Sequence, residues 1–208
     1  RHFTARAREK IMMKVVVLDR DGVINEDSDA FVKTLDEWIP IDGSIDAIAR
    51  LYEHGFTIAV ATNQSGIGRG LISEDAIEQM HEKLLELVRE AGGDIATIAY
   101  CPHKPDDYCD CRKPQSGLFD QIAATIGCDL EGAWTIGDSL RDLQAGVARG
   151  CIPILVRTGK GAHTEMQLEE HADEFEGVEV FDNLDEAADY LIQQTPADIV
   201  QDWLDEEY

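Results

Sequence analysis

The stretch VVVLDRDGVIN, residues 15–25, contains the clearest strand of the chain and a pair of acidic residues at its end. Four apolar residues stop at Asp19, and a second carboxylate, Asp21, follows two residues later beside a glycine. A short apolar run bounded by turn residues is typical of a buried strand. Carboxylates this close at the mouth of a strand repel each other, so a metal ion, a shared proton or open solvent must relieve the repulsion.

Apolar runs and amphipathic stretches alternate along the rest of the chain. This alternation is typical of βα units that build a parallel sheet. The predicted strands cover residues 14–18, 57–61, 95–100, 133–136, 152–156 and 178–181, and the predicted helices lie near 43–54, 74–91, 117–126, 140–149 and 184–194. We therefore expect a single α/β domain over residues 13–195, with a doubly wound, mainly parallel sheet and no large cap domain.

The chain is strongly acidic: Asp and Glu outnumber Lys and Arg 42 to 18, and the net charge is -24. Such a charge repels nucleic acid and anionic lipid, so we expect neither a nucleic-acid partner nor a membrane partner. No apolar run reaches the length of a membrane span, and the N-terminus lacks the features of a secretory signal. The expected location is the cytoplasm and the expected state a monomer.

Both ends of the chain are expected to lie outside the domain. Residues 1–12 are basic and lack strand or clear helix patterning, which suggests a cloning remnant or a disordered arm. Residues 196–208 form an acidic tail with sparse apolar residues, either a docked helix or a frayed end.

Polar residues follow four of the predicted strands. Asp19, Arg20 and Asp21 follow the first strand, and Asp138 follows the fourth. The carboxyl ends of parallel strands share one edge of the sheet, so we expect Asp19, Asp21 and Asp138 to meet in a crevice there. Mg²⁺ with these three carboxylates as ligands relieves their repulsion and leaves coordination sites for a phosphate oxygen.

The same crevice has the groups for phosphoryl transfer. An ionised Asp19 can attack phosphorus and form an aspartyl phosphate. Asp21, with a raised pKa, can protonate the leaving oxygen and later take a proton from water. Thr62 offers a hydroxyl and Lys113 a positive charge to hold the phosphoryl oxygens.

These motifs resemble those of the haloacid dehalogenase superfamily of phosphohydrolases over roughly residues 14–195. The family pattern has D-x-D after the first strand, Thr or Ser after the second, a later Lys, and Gly-Asp with another acidic residue after the fourth. The matching residues are Asp19, Asp21, Thr62, Lys113, Asp138 and Asp142. The resemblance implies a Rossmann-like fold and a Mg²⁺-dependent phosphatase that works through an aspartyl phosphate.

Five short segments resemble those of one subgroup of this family, which acts on a heptose bisphosphate or on histidinol phosphate. The segments are LDRDGVIN, TNQSGIGRG, CPH, CDCRKP and GDS. That subgroup carries zinc in a Cys-x-His and Cys-x-Cys loop. The matching residues are Cys101, His103, Cys109 and Cys111. Three thiolates and one imidazole form a closed tetrahedral set that suits structural Zn²⁺ and leaves no open position for catalysis. Cys128 and Cys151 are expected to be small buried residues.

The expected function is removal of the 7-phosphate of a heptose 1,7-bisphosphate in lipopolysaccharide assembly. The alternative substrate is histidinol phosphate, and the absence of a fused dehydratase domain favours the heptose modestly. The substrate is a small phosphorylated sugar. The residues expected to contact it are Arg20, Asp27, Ser28, Asp29, Ala30, Asn63, Gln64, Ser65, Arg112 and Ser139.

Two other classes of protein share part of this pattern. A receiver-type signalling domain also uses an aspartyl phosphate, Mg²⁺, a Thr and a Lys, but it expects its Asp on the third strand and a shorter chain. A catalytically silent, zinc-stabilised interaction module would not need every motif residue, and all of them are present.

Several further residues have no predicted role in the chemistry. His54, His81 and His163 lack a ligand partner at a suitable spacing and are interpreted as surface or helix residues. The glycines of residues 66–70 are interpreted as a flexible turn near the site, with Arg69 as a possible anion contact.

Overall fold

A sheet of six parallel strands forms the centre of this computed structural model, which describes residues 14–194. The strands lie in the order β3-β2-β1-β4-β5-β6. Their bounds are Val15–Leu18 for β1, Thr57–Asn63 for β2, Thr97–Cys101 for β3, Trp134–Gly137 for β4, Ile152–Val156 for β5 and Glu179–Phe181 for β6. The doubly wound parallel sheet is confirmed, while the predictions for residues 1–12 and 196–208 lie outside the described residues.

Helices cover both faces of the sheet. Their bounds are Ser44–Glu53 for α1, Ser65–Gly68 for α2, Glu74–Glu90 for α3, Gly117–Ile126 for α4, Leu140–Val147 for α5, Gly161–Leu168 for α6, Ala172–Phe175 for α7 and Leu184–Gln194 for α8. On one face α1 packs against α3 and α8; on the other, α4 packs against β2 and β3, and α5 against β4 and β5. No helix within residues 14–194 has the length and apolarity to cross a membrane.

Strand β1 is buried on both faces, as expected for the middle of a parallel sheet. Val16 and Leu18 join the core under α1, α3 and α8, whereas Val15 and Val17 join the core under α4 and α5. The chain leaves β1 toward β2 and β3, then returns to place β4 on the other side of β1. Ligands bind where the strand order reverses in this way, outside the carboxyl ends of the strands.

The structure extends or adds elements that periodicity did not predict. Strand β2 continues to Asn63, because Thr62 and Asn63 still pair with β3. Helices α6 and α7 were not predicted, and α6 buries only Gly161 and Thr164, so it has no apolar stripe to detect.

The expected turn at residues 66–70 is only partly present: its first residues belong to the short helix α2, and residues 69–70 form a turn after it. A methyl group on Gly66 would overlap the Ile72 side chain, and one on Gly68 would lie 2.6 Å from the carbonyl oxygen of Pro102. These glycines therefore allow close packing.

Candidate active site

A cavity of about 260 Å³ opens at the carboxyl ends of β1, β2 and β4. It brings together residues from every strand end that the sequence singled out. Its lining includes the predicted residues Asp19, Asp21, Asp27, Ser28, Asp29, Thr62, Asn63, Gln64, Ser65, Arg112, Lys113 and Asp138. It also includes Phe31, Val32, Arg69, Arg141, Asp142 and Lys160.

Lys113 is buried between two carboxylates. Its Nζ lies 2.9 Å from Oδ1 of Asp19 and 2.8 Å from Oδ1 of Asp142, and it donates to the carbonyl of Ala61 at 2.7 Å. Burial alone would lower the pKa of Lys113, but Asp142 and Asp19 raise it above its usual range. The ammonium therefore stays charged and holds Asp19 in place. Asn63 anchors this segment by exchanging two hydrogen bonds with the Lys113 backbone.

Asp138 sits in a cradle of glycine backbone. A methyl group on either Gly22 or Gly159 would overlap its carboxylate, and Gly22 has a φ of +87°, which favours glycine. The Asp138 Oδ2 accepts the backbone N–H of Lys160 at 2.8 Å. Burial, followed by the charge of Asp19, raises the pKa of Asp138 to about 8.

The carboxylates of this cleft suit a divalent cation. Oxygen atoms of Asp19, Asp138 and Asp142 lie within 4.8 Å of one another. Burial, followed by Asp142, raises the pKa of Asp19 to about 7. The group around Asp19 comprises four carboxylates, Asp21 included, and the cations that pair with them, Lys113 and Arg20, supply two positive charges, which leaves this group with a net charge of about -2 when all are ionised. Oxygen ligands and this excess charge fit Mg²⁺.

The Asp21 side chain is held by three other residues and lies outside that cluster. Arg20 Nε donates to Oδ1 at 2.8 Å, Asn25 Nδ2 donates to Oδ1 at 2.9 Å, and Gln64 Nε2 donates to Oδ2 at 3.0 Å. Burial alone would raise the pKa of Asp21, but Arg20, Asn25 and Gln64 lower it. The predicted raised pKa is therefore wrong, because buried donors stabilise the ionised form. Among the described residues, the carboxylate oxygens that lie close together belong to Asp19, Asp138 and Asp142, and the role of Asp21 as a Mg²⁺ ligand stays a prediction.

Three residues predicted to touch the substrate do not line the cavity. Arg20 is 0% exposed, because its guanidinium turns inward to Asp21. Ser139 is the N-cap residue of α5, and its hydroxyl donates to Asp142 at 2.7 Å. Ala30 lies beside the cavity, with its N–H donated to Ser28 at 3.2 Å. A direct substrate contact of the Arg20 side chain is incompatible with this burial.

Arginines form a basic wall of the cavity that the sequence only partly indicated. Arg69, Arg112 and Arg141 all line it, and none forms an ion pair with a carboxylate of residues 14–194. Burial, then the neighbouring Arg141, lowers the pKa of Arg112. Unpaired, mutually repelling cations are notable in so acidic a chain, because many carboxylates were available as partners. Lys160, in contrast, pairs with Asp27 at 3.2 Å.

The four predicted zinc ligands lie together: Cys101 ends β3, and the other three belong to the loop that follows. The sulfur atoms of Cys101, Cys109 and Cys111 are 3.2–3.7 Å apart, and Nδ1 of His103 is 3.5 Å and 3.3 Å from the sulfurs of Cys101 and Cys111. Tetrahedral zinc with Zn–S bonds of about 2.3 Å separates two sulfurs by about 3.8 Å. The cluster fits a structural Zn²⁺.

The sheet and its edge of buried aspartates, lysine and threonine define a haloacid dehalogenase-like phosphatase. The D-glycero-beta-D-manno-heptose-1,7-bisphosphate 7-phosphatase of Pseudomonas aeruginosa is 54% identical over 179 residues, covering 86% of this chain and 98% of that protein. That of Neisseria meningitidis is 50% identical over 186 residues, covering 89% and 98%. The chain belongs to the D-glycero-beta-D-manno-heptose-1,7-bisphosphate 7-phosphatase family.

Family models and a solved structure agree with this assignment. The model described as polynucleotide kinase 3 phosphatase matches residues 14–139, and the one described as HAD-hydrolase-like matches residues 110–187. The D,D-heptose 1,7-bisphosphate phosphatase of Bordetella bronchiseptica, solved with magnesium and phosphate, superposes with a TM-score of 0.82 at 46% identity. That match covers 88% of this chain and 100% of the other. The resemblance identified from the motifs is confirmed.

Proposed function

We propose that this protein is a Mg²⁺-dependent phosphatase that removes the 7-phosphate of D-glycero-β-D-manno-heptose 1,7-bisphosphate, on the route to ADP-heptose for lipopolysaccharide. The observation that carries the proposal is the pairing of two features in one cavity. Asp19 and Asp138 form a cation site at its base, and the arginine wall of Arg69, Arg112 and Arg141 supplies a second place for an anion. A sugar with two phosphates matches both.

The reaction uses Asp19 as nucleophile. Asp19 and Asp138 would hold Mg²⁺, which when bound neutralises charge on the phosphoryl oxygens. An oxygen of Asp19 bonds to phosphorus as the bond from phosphorus to the sugar oxygen breaks. Water then attacks the aspartyl phosphate, which releases phosphate and restores Asp19. Thr62 accepts a hydrogen bond from Gln64 at 3.0 Å, so its own hydroxyl proton is left for a phosphoryl oxygen.

Asp21 moves the protons. Because its pKa is lowered, it is ionised before substrate binds, so the proton for the leaving oxygen must arrive with the substrate. A phosphate monoester has its second pKa at about 6, and its monoanion can deliver that proton to Asp21. Asp21 passes it to the sugar oxygen as that oxygen leaves, then takes one proton from the attacking water and returns it to the departing phosphate, which leaves Asp21 ionised for the next cycle.

The arginine wall favours the heptose bisphosphate over histidinol phosphate. Histidinol phosphate carries an ammonium group, which unpaired arginines repel, whereas a second phosphate is attracted to them. The β anomer is the one in the names of the relatives from Pseudomonas aeruginosa and Neisseria meningitidis.

A phosphate-release assay with Mg²⁺ tests the proposal. The panel contains both anomers of the heptose 1,7-bisphosphate, heptose 7-phosphate, fructose 1,6-bisphosphate and histidinol phosphate. We expect the highest kcat/KM with the β-bisphosphate and a loss of at least about tenfold without the second phosphate, since hydrogen bonds between charged groups contribute about 1.5–3 kcal/mol. Equal or better hydrolysis of histidinol phosphate would contradict the assignment.

A charge-removing variant tests the arginine wall directly. Arg141→Gln should raise KM for the bisphosphate by about tenfold and leave KM for heptose 7-phosphate within about twofold, on the same energy scale. Arg149→Gln is the matched control, because Arg149 pairs with Asp120 on the surface and does not line the cavity. The same loss in both variants would mean that overall charge, and not a contact, is responsible.

The monomeric state and the cytoplasmic location stay predictions. Light scattering behind size-exclusion chromatography measures the first, and fractionation of expressing cells measures the second. The zinc loop is proposed to orient Arg112 and Lys113, since both follow Cys111 directly in the chain.

A further inference from the structure

His81 does not line the cavity but contacts Arg20, one of the residues that hold Asp21. It is four residues after the buried Ile77 and therefore shares the inward face of α3. Its ring packs edge-on against Tyr100, with ring centroids 5.8 Å apart. Its Nε2 lies 3.3 Å from Nη1 of Arg20. The interpretation of His81 as a surface or helix residue without a partner missed this contact.

The hydrogen-bond donors of Arg20 determine which nitrogen of the His81 ring carries the proton. A guanidinium has only hydrogen-bond donors and stays protonated, so Nε2 of His81 must accept. The ring proton then belongs on Nδ1. Burial, followed by the charge of Arg20, lowers the pKa of His81 to about 4, so the ring is neutral near neutral pH and the acceptor is available.

Arg20 contacts both His81 and Asp21, so the hydrogen bond with His81 also affects the orientation of the Asp21 carboxylate. Its Nε and Nη2 both lie 2.8 Å from Oδ1 of Asp21, while Nη1 points the other way, to His81. The guanidinium is planar, so fixing one nitrogen fixes the other two. If His81 could not accept, a donor of the fully buried Arg20 would lose its partner, and the guanidinium would reorient to recover one.

We propose that His81 is a positioning residue for proton transfer by Asp21 and acts through Arg20. Arg20 holds Oδ1 of Asp21, while Oδ2 accepts a hydrogen bond from Gln64, and both Asp21 and Gln64 line the cavity. Proton transfer needs heavy atoms within about 2.6–3.2 Å, so a small rotation of this carboxylate slows it. The inference rests on the proposed role of Asp21 and not on the identity of the sugar.

Leaving-group dependence separates this role from a general loss of structure. A sugar oxygen must be protonated as it leaves, whereas p-nitrophenolate leaves without a proton. In His81→Phe, kcat/KM for the heptose bisphosphate should fall by about tenfold or more. This is part of the ~10²–10⁴-fold effect of removing a proton-transfer group altogether. The value of kcat/KM for p-nitrophenyl phosphate should fall by less than about threefold. The ratio of the two values does not depend on how much protein is folded.

Two single variants control for ring volume and for the acceptor. His81→Gln restores an acceptor near the Nε2 position. For both substrates kcat/KM should then lie within about threefold of the wild-type value, a much smaller change than loss of a proton-transfer group causes. Tyr100→Phe keeps the ring that packs on His81 and should leave the ratio unchanged. Equal losses on both substrates in His81→Phe, or no rescue by Gln, would overturn the proposal.

A double variant tests whether the effect passes through Arg20. In an Arg20→Met background, His81→Phe should change the ratio no further, because residues that act through one contact are not additive. A full additional loss would overturn the route through Arg20. If wild-type enzyme does not hydrolyse the heptose bisphosphate, the proposed function fails, and the same comparison is made with fructose 1,6-bisphosphate, so the two failures are distinguishable.

Discussion

The two polar clusters of this protein are assembled in opposite ways. The cleft brings together Asp19, Lys113 and Asp142, which come from distant parts of the chain and meet only because the sheet aligns the strand ends. The zinc cluster is contained in the eleven residues from Cys101 to Cys111. Removing one charge from the cleft should therefore leave the sheet folded, whereas the zinc loop depends on its metal for an ordered conformation.

The difference is also one of electrostatics. In the cleft, Lys113 and Arg20 offset part of the negative charge, so the repulsion between Asp19 and Asp21 is relieved partly by the protein itself. In the zinc loop three thiols lie within 3.7 Å of one another, and a bound Zn²⁺ would supply the positive charge that stabilises them as thiolates. The predictions below test how independent the two clusters are.

The largest expected effect is that of Asp19→Asn. The amide cannot attack phosphorus, so kcat should fall below about a hundredth of wild type, given the ~10²–10⁴-fold scale for loss of a single proton-transfer group. The zinc content and the circular dichroism of the sheet should not change. Activity above that level would exclude Asp19 as the nucleophile, and loss of zinc would show that the clusters are not independent.

A smaller effect is expected from Gly22→Ala, which places a methyl group against the Asp138 carboxylate. The Mg²⁺ concentration for half-maximal activity should rise by about 10–100-fold, the scale found when residues that support metal ligands are changed. Gly177→Ala is a matched control, since Gly177 has a similar φ of +77° but nothing within 4 Å of the added methyl. Equal Mg²⁺ dependence in the two variants would show that backbone strain alone is responsible.

Cys109→Ser should remove zinc with a more moderate loss of activity. Metal analysis should find about one Zn per chain in wild type and none in the variant. KM should rise and kcat fall several-fold, because Arg112 and Lys113 follow the loop, and the melting temperature should drop without loss of sheet signal. Cys128→Ser, a thiol outside the cluster, should change none of these. A Cys109→Ser variant with unchanged kinetics would separate the loop from the cleft entirely.

The smallest effect is expected from Ser73→Ala, which touches neither cluster. The Ser73 side chain accepts the N–H of Ala76 at 3.1 Å and caps α3. Its loss should cost about 1 kcal/mol of the free energy of unfolding. For a chain of this size that is a fall in melting temperature of about 2–4 °C. Changed zinc content or kcat would mean that α3 communicates with the site more directly than a cap requires.

Most of the fold was predictable because its signals are local. The apolar run of β1 and the amphipathic pattern of helices such as α3 depend on neighbours within a few residues. The misses were elements without a periodic apolar stripe, such as α6, and strand ends such as Thr62–Asn63, where pairing with β3 extends the strand. Strand pairing depends on the neighbouring strand in the sheet, so the sequence of one strand gives only a weak signal of where its pairing ends.

The sequence by itself determined the order of strands and helices, the acidic residues at the strand ends and the four zinc ligands, because periodicity and short spacing act within one segment. The tertiary structure decided which charges meet. It buried Arg20 against Asp21 and His81, set the sign of the Asp21 pKa shift, joined Asp142 to Lys113 and left the arginine wall unpaired. These outcomes depend on through-space distance and burial between segments far apart in the chain, where electrostatic energies are large and no local pattern records them.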